Sequence, residues 1–87
     1  MWKFSNHARI RIEERGFSAN DVLKVLNEEV PSIVLPSPRE ETVDLYFSKI
    51  SLRYVLVVVD RFTHSIITVR PMRTNEITAF TKEFESG

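Results

Sequence analysis

Residues 52–60 read Leu-Arg-Tyr-Val-Leu-Val-Val-Val-Asp, the strongest strand signal in the chain. From Tyr54 to Val59 the side chains are apolar on both alternating sets, so both faces of this strand seek cover. A strand with one wet face would alternate, so this one belongs at the centre of a sheet. On its N-terminal side, residues 42–48 do alternate, with Val43, Leu45 and Phe47 on one side and Asp44 and Tyr46 on the other. That predicts a half-buried neighbour, reached through a turn at Lys49-Ile50-Ser51. On the C-terminal side, Arg61-Phe62-Thr63-His64 is a short turn and residues 65–70 form the next strand. Simple alternation there puts Ile67 and Val69 on one face and Ile66, Thr68 and Arg70 on the other, with Pro71 ending the run. Residues 32–35 are a further short apolar run, an edge strand stopped by Pro36-Ser37-Pro38. No connection between these runs is long enough for a parallel crossover, so the expectation is a three- to four-stranded, mostly antiparallel meander.

Helical patterns flank the sheet. Residues 5–17, Ser-Asn-His-Ala-Arg-Ile-Arg-Ile-Glu-Glu-Arg-Gly-Phe, have Ser5 as an N-cap and Gly16 as a stop, with no proline between. At 100° per residue, His7, Arg11, Glu14 and Arg15 fall within one arc of roughly 100°. Ile10 flanks that arc on one side and Ala8 and Ile12 on the other. Polar and apolar residues are thus interleaved, where an ordinary surface helix would oppose them. Two readings of the stripe stand: a solvated ion-pair ladder, or one wall of a groove. A second helix opens at Ser18-Ala19-Asn20-Asp21, buries Val22, Leu23, Val25 and Leu26, and ends near residues 27–29 ahead of Pro31. Thr74 is read as the cap of a last helix through Phe84, with Ile77, Phe80, Thr81 and Phe84 at helical spacing. The order is α-α-β-β-β-β-α, an α+β chain expected to form a single domain over residues 1–87.

Composition narrows the function. Apolar residues make up 43% and charged residues 28% of 87, enough for a single core. There is no cysteine, which removes disulfides and thiolate ligands. No apolar run approaches the ~20 residues of a membrane span, and the opening Met-Trp-Lys-Phe-Ser lacks signal-peptide features, so a soluble cytoplasmic protein is expected. Twelve basic and twelve acidic residues cancel, which argues against a non-specific nucleic-acid coat. Arginine supplies most of the basic residues, and its planar fork suits a small phosphate site.

The chemistry is reached by elimination. His7 and His64 are the only histidines and neither sits in a ligand cluster, so no metal is expected. Gly16 and Gly87 are the only glycines, which leaves no phosphate-binding loop and no expected cofactor. No nucleophile triad has a local signature. What remains is metal-free acid–base chemistry supported by arginines. Cleaving RNA in that way needs a base for the 2′-hydroxyl, an acid for the leaving oxygen, and cations for the developing charge. His7 is the natural acid or base, with Glu14 the second candidate. Arg11, Arg15 and Arg70 are the expected catalytic cations. Arg53, Tyr54, Thr68 and Arg73 are expected to bind substrate. The alternative for Arg53 and Arg70 is a sheet-surface residue paired with a neighbouring acid. The catalytic reading requires His7, Arg11 and Arg70 to converge.

The opening F-S-x-H-A-R-x-R-x-x-E-R-G-F-S-x-x-D-V, from Phe4 to Val22, resembles that of a large set of small bacterial and archaeal proteins beginning with an H-A-x-x-R-x-x-x-R-G helix. Residues 65–77, S-I-I-T-V-R-P-M-R-T-N-E-I, are similar to the R-I-I-S-A-R-x-A-T-x-x-E segment of BrnT-like toxins, which are related to RelE-type ribonucleases. His7, Arg11 and Arg15 match the first motif, and Arg70 and Arg73 the second. The resemblance implies a RelE-like fold and a toxin–antitoxin component, a metal-independent endoribonuclease that inhibits translation. It also implies a cognate antitoxin covering the site and RNA, including mRNA on the ribosome, as substrate. No membrane partner is expected, and self-assembly is left open. The alternative is a non-catalytic module using the same His/Arg groove for RNA or an acidic partner protein.

Overall fold

The computed structural model describes residues 1–85, and side-chain surroundings through residue 84. In chain order the elements are β1 (Lys3–Phe4), α1 (Asn6–Glu14), α2 (Ala19–Leu26), β2 (Ser32–Pro36), β3 (Val43–Ile50), β4 (Arg53–Asp60), β5 (Ser65–Pro71) and α3 (Thr74–Glu85). The strands form one sheet in the order β1-β5-β4-β3-β2. The α+β class is as expected, and β2 to β5 form the antiparallel meander. The sheet has five strands, however, not three or four. The fifth is β1, two residues long and parallel to β5, with Lys3 opposite Ser65 and Phe4 opposite Ile66. Two residues are too few to show any periodicity, and the parallel partner lies at the far end of the chain, so no local pattern announces it.

The central strand is covered on both sides, as its composition requires. Val55, Val57 and Val59 point to the face that carries the first two helices. There they join one buried cluster with Ala8, Ile12, Phe17, Val22, Val25 and Leu26. Each fully buried valine contributes about 1.5–3 kcal/mol relative to leaving it in water. Leu56 and Val58 point the other way, sharing their face with Phe47 and Leu45 across the β3–β4 ladder. This second face is covered in part by α3, whose Phe80 ring meets Tyr54 edge-on at 6.0 Å, and Leu45, Phe47 and Val58 on it stay half-buried.

One irregularity changes which residues of β5 are buried. Thr68 lies opposite Val58 and Ile66 opposite Val59, so Ile67 is an extra residue in a bulge. Ile66 and Val69 therefore both enter the core with no exposed surface, where plain alternation had placed them on opposite faces. The bulge sets the pleat back in phase with the valines of β4.

The helix ends follow capping chemistry. Ser5 Oγ accepts from Ala8 N at 3.0 Å, and Gly16 takes φ +69° to leave the first helix. Ser18 Oγ accepts from Asn20 N at 3.2 Å to open the second. Thr74 is not the cap expected for α3 but its first helical residue. The Glu76 carboxylate reaches back to accept from Arg73 N at 2.8 Å, the reciprocal half of a capping box.

The two sheet edges are treated differently. Along β5, Ser5 N donates to Ile66 O (3.3 Å), Ser5 Oγ to Ile67 O (3.2 Å) and Arg15 Nη1 to Val69 O (2.6 Å). With β1 alongside, this edge is closed. β2 forms the opposite edge, with no strand beyond it.

Candidate functional site

Helix α1 buries only Ala8 and Ile12. Its outward stripe is His7, Ile10, Arg11 and Glu14, at i, i+3, i+4 and i+7, and so on one side of the helix. His7 is exposed, and its side chain has no hydrogen-bond or ion-pair partner among the described residues. Ile10 is 56% exposed. Arg11 Nη1 meets Glu14 Oε1 at 3.0 Å, both side chains substantially in water. Such an i,i+3 pair contributes only about 0.2–0.5 kcal/mol. Part of the stripe is thus an ion pair, and part of it is unpartnered.

Arg15, expected in the same arc, is turned to the sheet edge and bonded to Val69 O. Arg53 is likewise committed to the backbone. Its guanidinium donates to Arg15 O (2.7 Å) and Gly16 O (3.0 Å) and lies 4.0 Å over the Phe17 ring. It fastens the turn between α1 and α2 to the central strand, taking up carbonyls that the helix end leaves open.

Arg70 sits on the opposite face of the sheet. It is the cross-strand partner of Leu56, and so faces away from the Val55-Val57-Val59 side on which α1 packs. Its guanidinium grips the Glu76 carboxylate in a two-pronged fork, 2.9 Å on each prong, and also donates to Pro71 O at 3.0 Å. The hydrogen bond from Arg70 is the main reason Glu76 titrates below the usual carboxylate range, with Arg73 N–H and the two arginine charges adding to it and burial opposing it. Arg73 itself is exposed. Thr68, opposite Val58, shares this face, as does Tyr54, whose ring lies between Phe80 and the Lys49 ammonium at 5.2 Å.

The expected site residues therefore fall into two groups separated by the sheet. His7, Arg11 and Glu14 stand on the outer side of α1, while Tyr54 and Arg70 meet α3 on the other face of the sheet, the face that Thr68 shares. His7, Arg11 and Arg70 do not line one cleft. Arg15 and Arg53 belong to the scaffold around α1. Sequence reading did not name Glu76, the acid that occupies Arg70, although the final E of the R-I-I-S-A-R-x-A-T-x-x-E segment falls on it. His64, in the turn after β4, is exposed at φ +57° with its ring 5.2 Å from that of Trp2.

Among the described residues, no three His, Asp or Glu side chains gather as a metal site, and no helix is long and apolar enough to cross a membrane. Compared with known proteins, the chain matches no family model, no curated sequence and no solved structure.

Proposed function

We propose that the protein is a binding module that engages an acidic segment of a partner protein through the outward stripe of α1. The observation that carries this reading is Ile10, more than half exposed in the middle of a turn that also presents His7 and Arg11. An apolar anchor beside a cation is the composition of a protein interface. A phosphate site would have little use for the isoleucine. The neutral net charge also fits a local contact better than a long polyanion track.

A second reading is the toxin ribonuclease, with a RelE-like fold, a cognate antitoxin and His7 as acid or base; the placing of Arg70 across the sheet from His7 and Arg11 counts against it. It draws on the two motifs near the ends of the chain and on the order of two helices, a mainly antiparallel sheet and a closing helix. The free His7 side chain near Arg11 supports it as well.

The two readings part in one experiment: controlled expression of wild type, His7→Ala and Arg11→Glu, with growth, total RNA and capture of the neighbouring reading frame's product all measured. The binding module is expected to leave growth and RNA intact and to lose its partner on Arg11→Glu. RNA cleavage and growth arrest relieved by His7→Ala would replace it with the ribonuclease.

A further inference from the structure

We propose that the free edge of β2 accepts a basic, extended segment of another protein as a sixth strand of the sheet. This surface is separate from the α1 stripe, and the proposal does not rest on the function assigned there.

The contrast between the two edges is the first argument. An edge strand leaves alternate N–H and C=O groups unpaired, and proteins usually cover, charge or distort it. The β5 edge is covered by β1, Ser5 and Arg15. The β2 edge, Ser-Ile-Val-Leu-Pro, has no strand beyond it and no charge, is blunted by its shortness and by Pro36, and exposes Val34 and Leu35 by 40% and 49%. Prolines at 31, 36 and 38 confine pairing to the residues between them, which sets the register of an incoming strand.

The second argument is what lies beside that edge. On the α3 side, Ile33 and Leu35 continue into a groove of about 420 Å³ floored by Phe47, Ala79 and Phe80. Alternate side chains of an added strand fall beside Ile33 and Leu35 at its open flank, and the others beside Val34. Strand addition takes affinity from the ladder and specificity from such alternate contacts.

Charge selects the occupant. Exposed acids bracket both ends of β2, Glu28 and Glu29 before it and Glu40 and Glu41 after it, and Glu83 rims the groove. Arg39 is the one exposed cation among the residues flanking the strand at 28–31 and 37–41. A second copy paired antiparallel about Val34 puts Glu28 opposite Glu40 and Glu29 opposite Arg39, so its charges repel at one position and attract at the next. A strand with basic ends meets complementary charge at both.

The test uses the synthetic peptide Lys-Arg-Val-Ile-Val-Lys-Arg, a version with its central Ile replaced by Pro, and one with every basic residue replaced by Glu. Backbone amide resonances of the full chain are followed during titration. Saturable shifts along β2, and slowed amide exchange at Val34, whose N–H points away from β3, are expected with the first peptide. Affinity should be at least about tenfold weaker for each of the other two. Leu35→Lys and, separately, Val34→Lys should weaken binding by a similar factor while far-UV circular dichroism is unchanged. Equal binding of the proline peptide would reduce the effect to charge alone and overturn the proposal. So would shifts located away from β2, or no saturation by about 1 mM. A dimer of the chain alone that Leu35→Lys dissociates would assign the edge to a second copy instead.

Discussion

The Arg53 guanidinium lies over Phe17 and donates to two carbonyls at the end of the first helix. A cation that looked available for phosphate is therefore spent on holding a turn. Stacking and charge-assisted bonds at this exposed site together stabilise by about 1 kcal/mol. Arg53→Ala should lower the unfolding free energy by that amount in urea titrations, and Arg53→Lys should restore only part of it, because an ammonium cannot fork onto both carbonyls. Arg11→Ala should by contrast stay within about 0.5 kcal/mol of wild type, since its one ion pair is exposed. The two arginines are indistinguishable in the sequence. What separates them is a contact between Gly16 and a strand that begins at residue 53, and no local pattern encodes contacts at that range.

At the scale of elements, contacts of two different kinds help to hold α3, the apolar one of Phe80 with Tyr54 and the Arg70–Glu76 fork. Glu76 titrates below its ordinary value of 4.5 in the folded protein. Its contribution is therefore complete above that ordinary value and is lost as the pH falls through the lowered folded one. Acidification below 4.5 should loosen the start of α3, seen as exchange broadening of the Tyr54 and Phe80 ring resonances. Glu76→Gln should be flat across the same window; an identical acid response in that variant would locate the loss elsewhere. Apart from β1, the strands and helices themselves were legible, because burial on both faces of β4 and capping at Ser5 and Ser18 are written locally. The bulge at Ile67 was not. It exists to match β5 to β4, and a register mismatch is a property of the pair.

For the whole molecule, the radius of gyration of 12.3 Å is close to the roughly 12 Å expected of one compact domain of this length. The first two helices, the central strand and β5 share one buried cluster, against which Trp2 packs, and α3 meets the other face of the same strand through Phe80 and Tyr54. Urea unfolding at neutral pH should accordingly give coincident transitions by Trp2 fluorescence and far-UV circular dichroism. A separate, earlier circular dichroism transition would mean that α3 melts on its own. The sheet also acts as a partition. It keeps the α1 stripe and the Arg70 cluster on opposite sides, so the polar residues form two surfaces rather than one cleft.

By itself the sequence determined the α+β class, the three helices, the central strand and the four-strand meander, because caps, prolines and periodicity act over a few residues. It also singled out His7, Arg11 and Arg70 as residue types fit for chemistry. Only the tertiary structure decided which arginines are free. That depends on where carbonyls and carboxylates distant in sequence come to rest: Val69 O beside Arg15, Gly16 O beside Arg53, Glu76 beside Arg70. The parallel β1 and the bare β2 edge were settled at the same level, since a strand's neighbours are fixed by how the whole sheet closes.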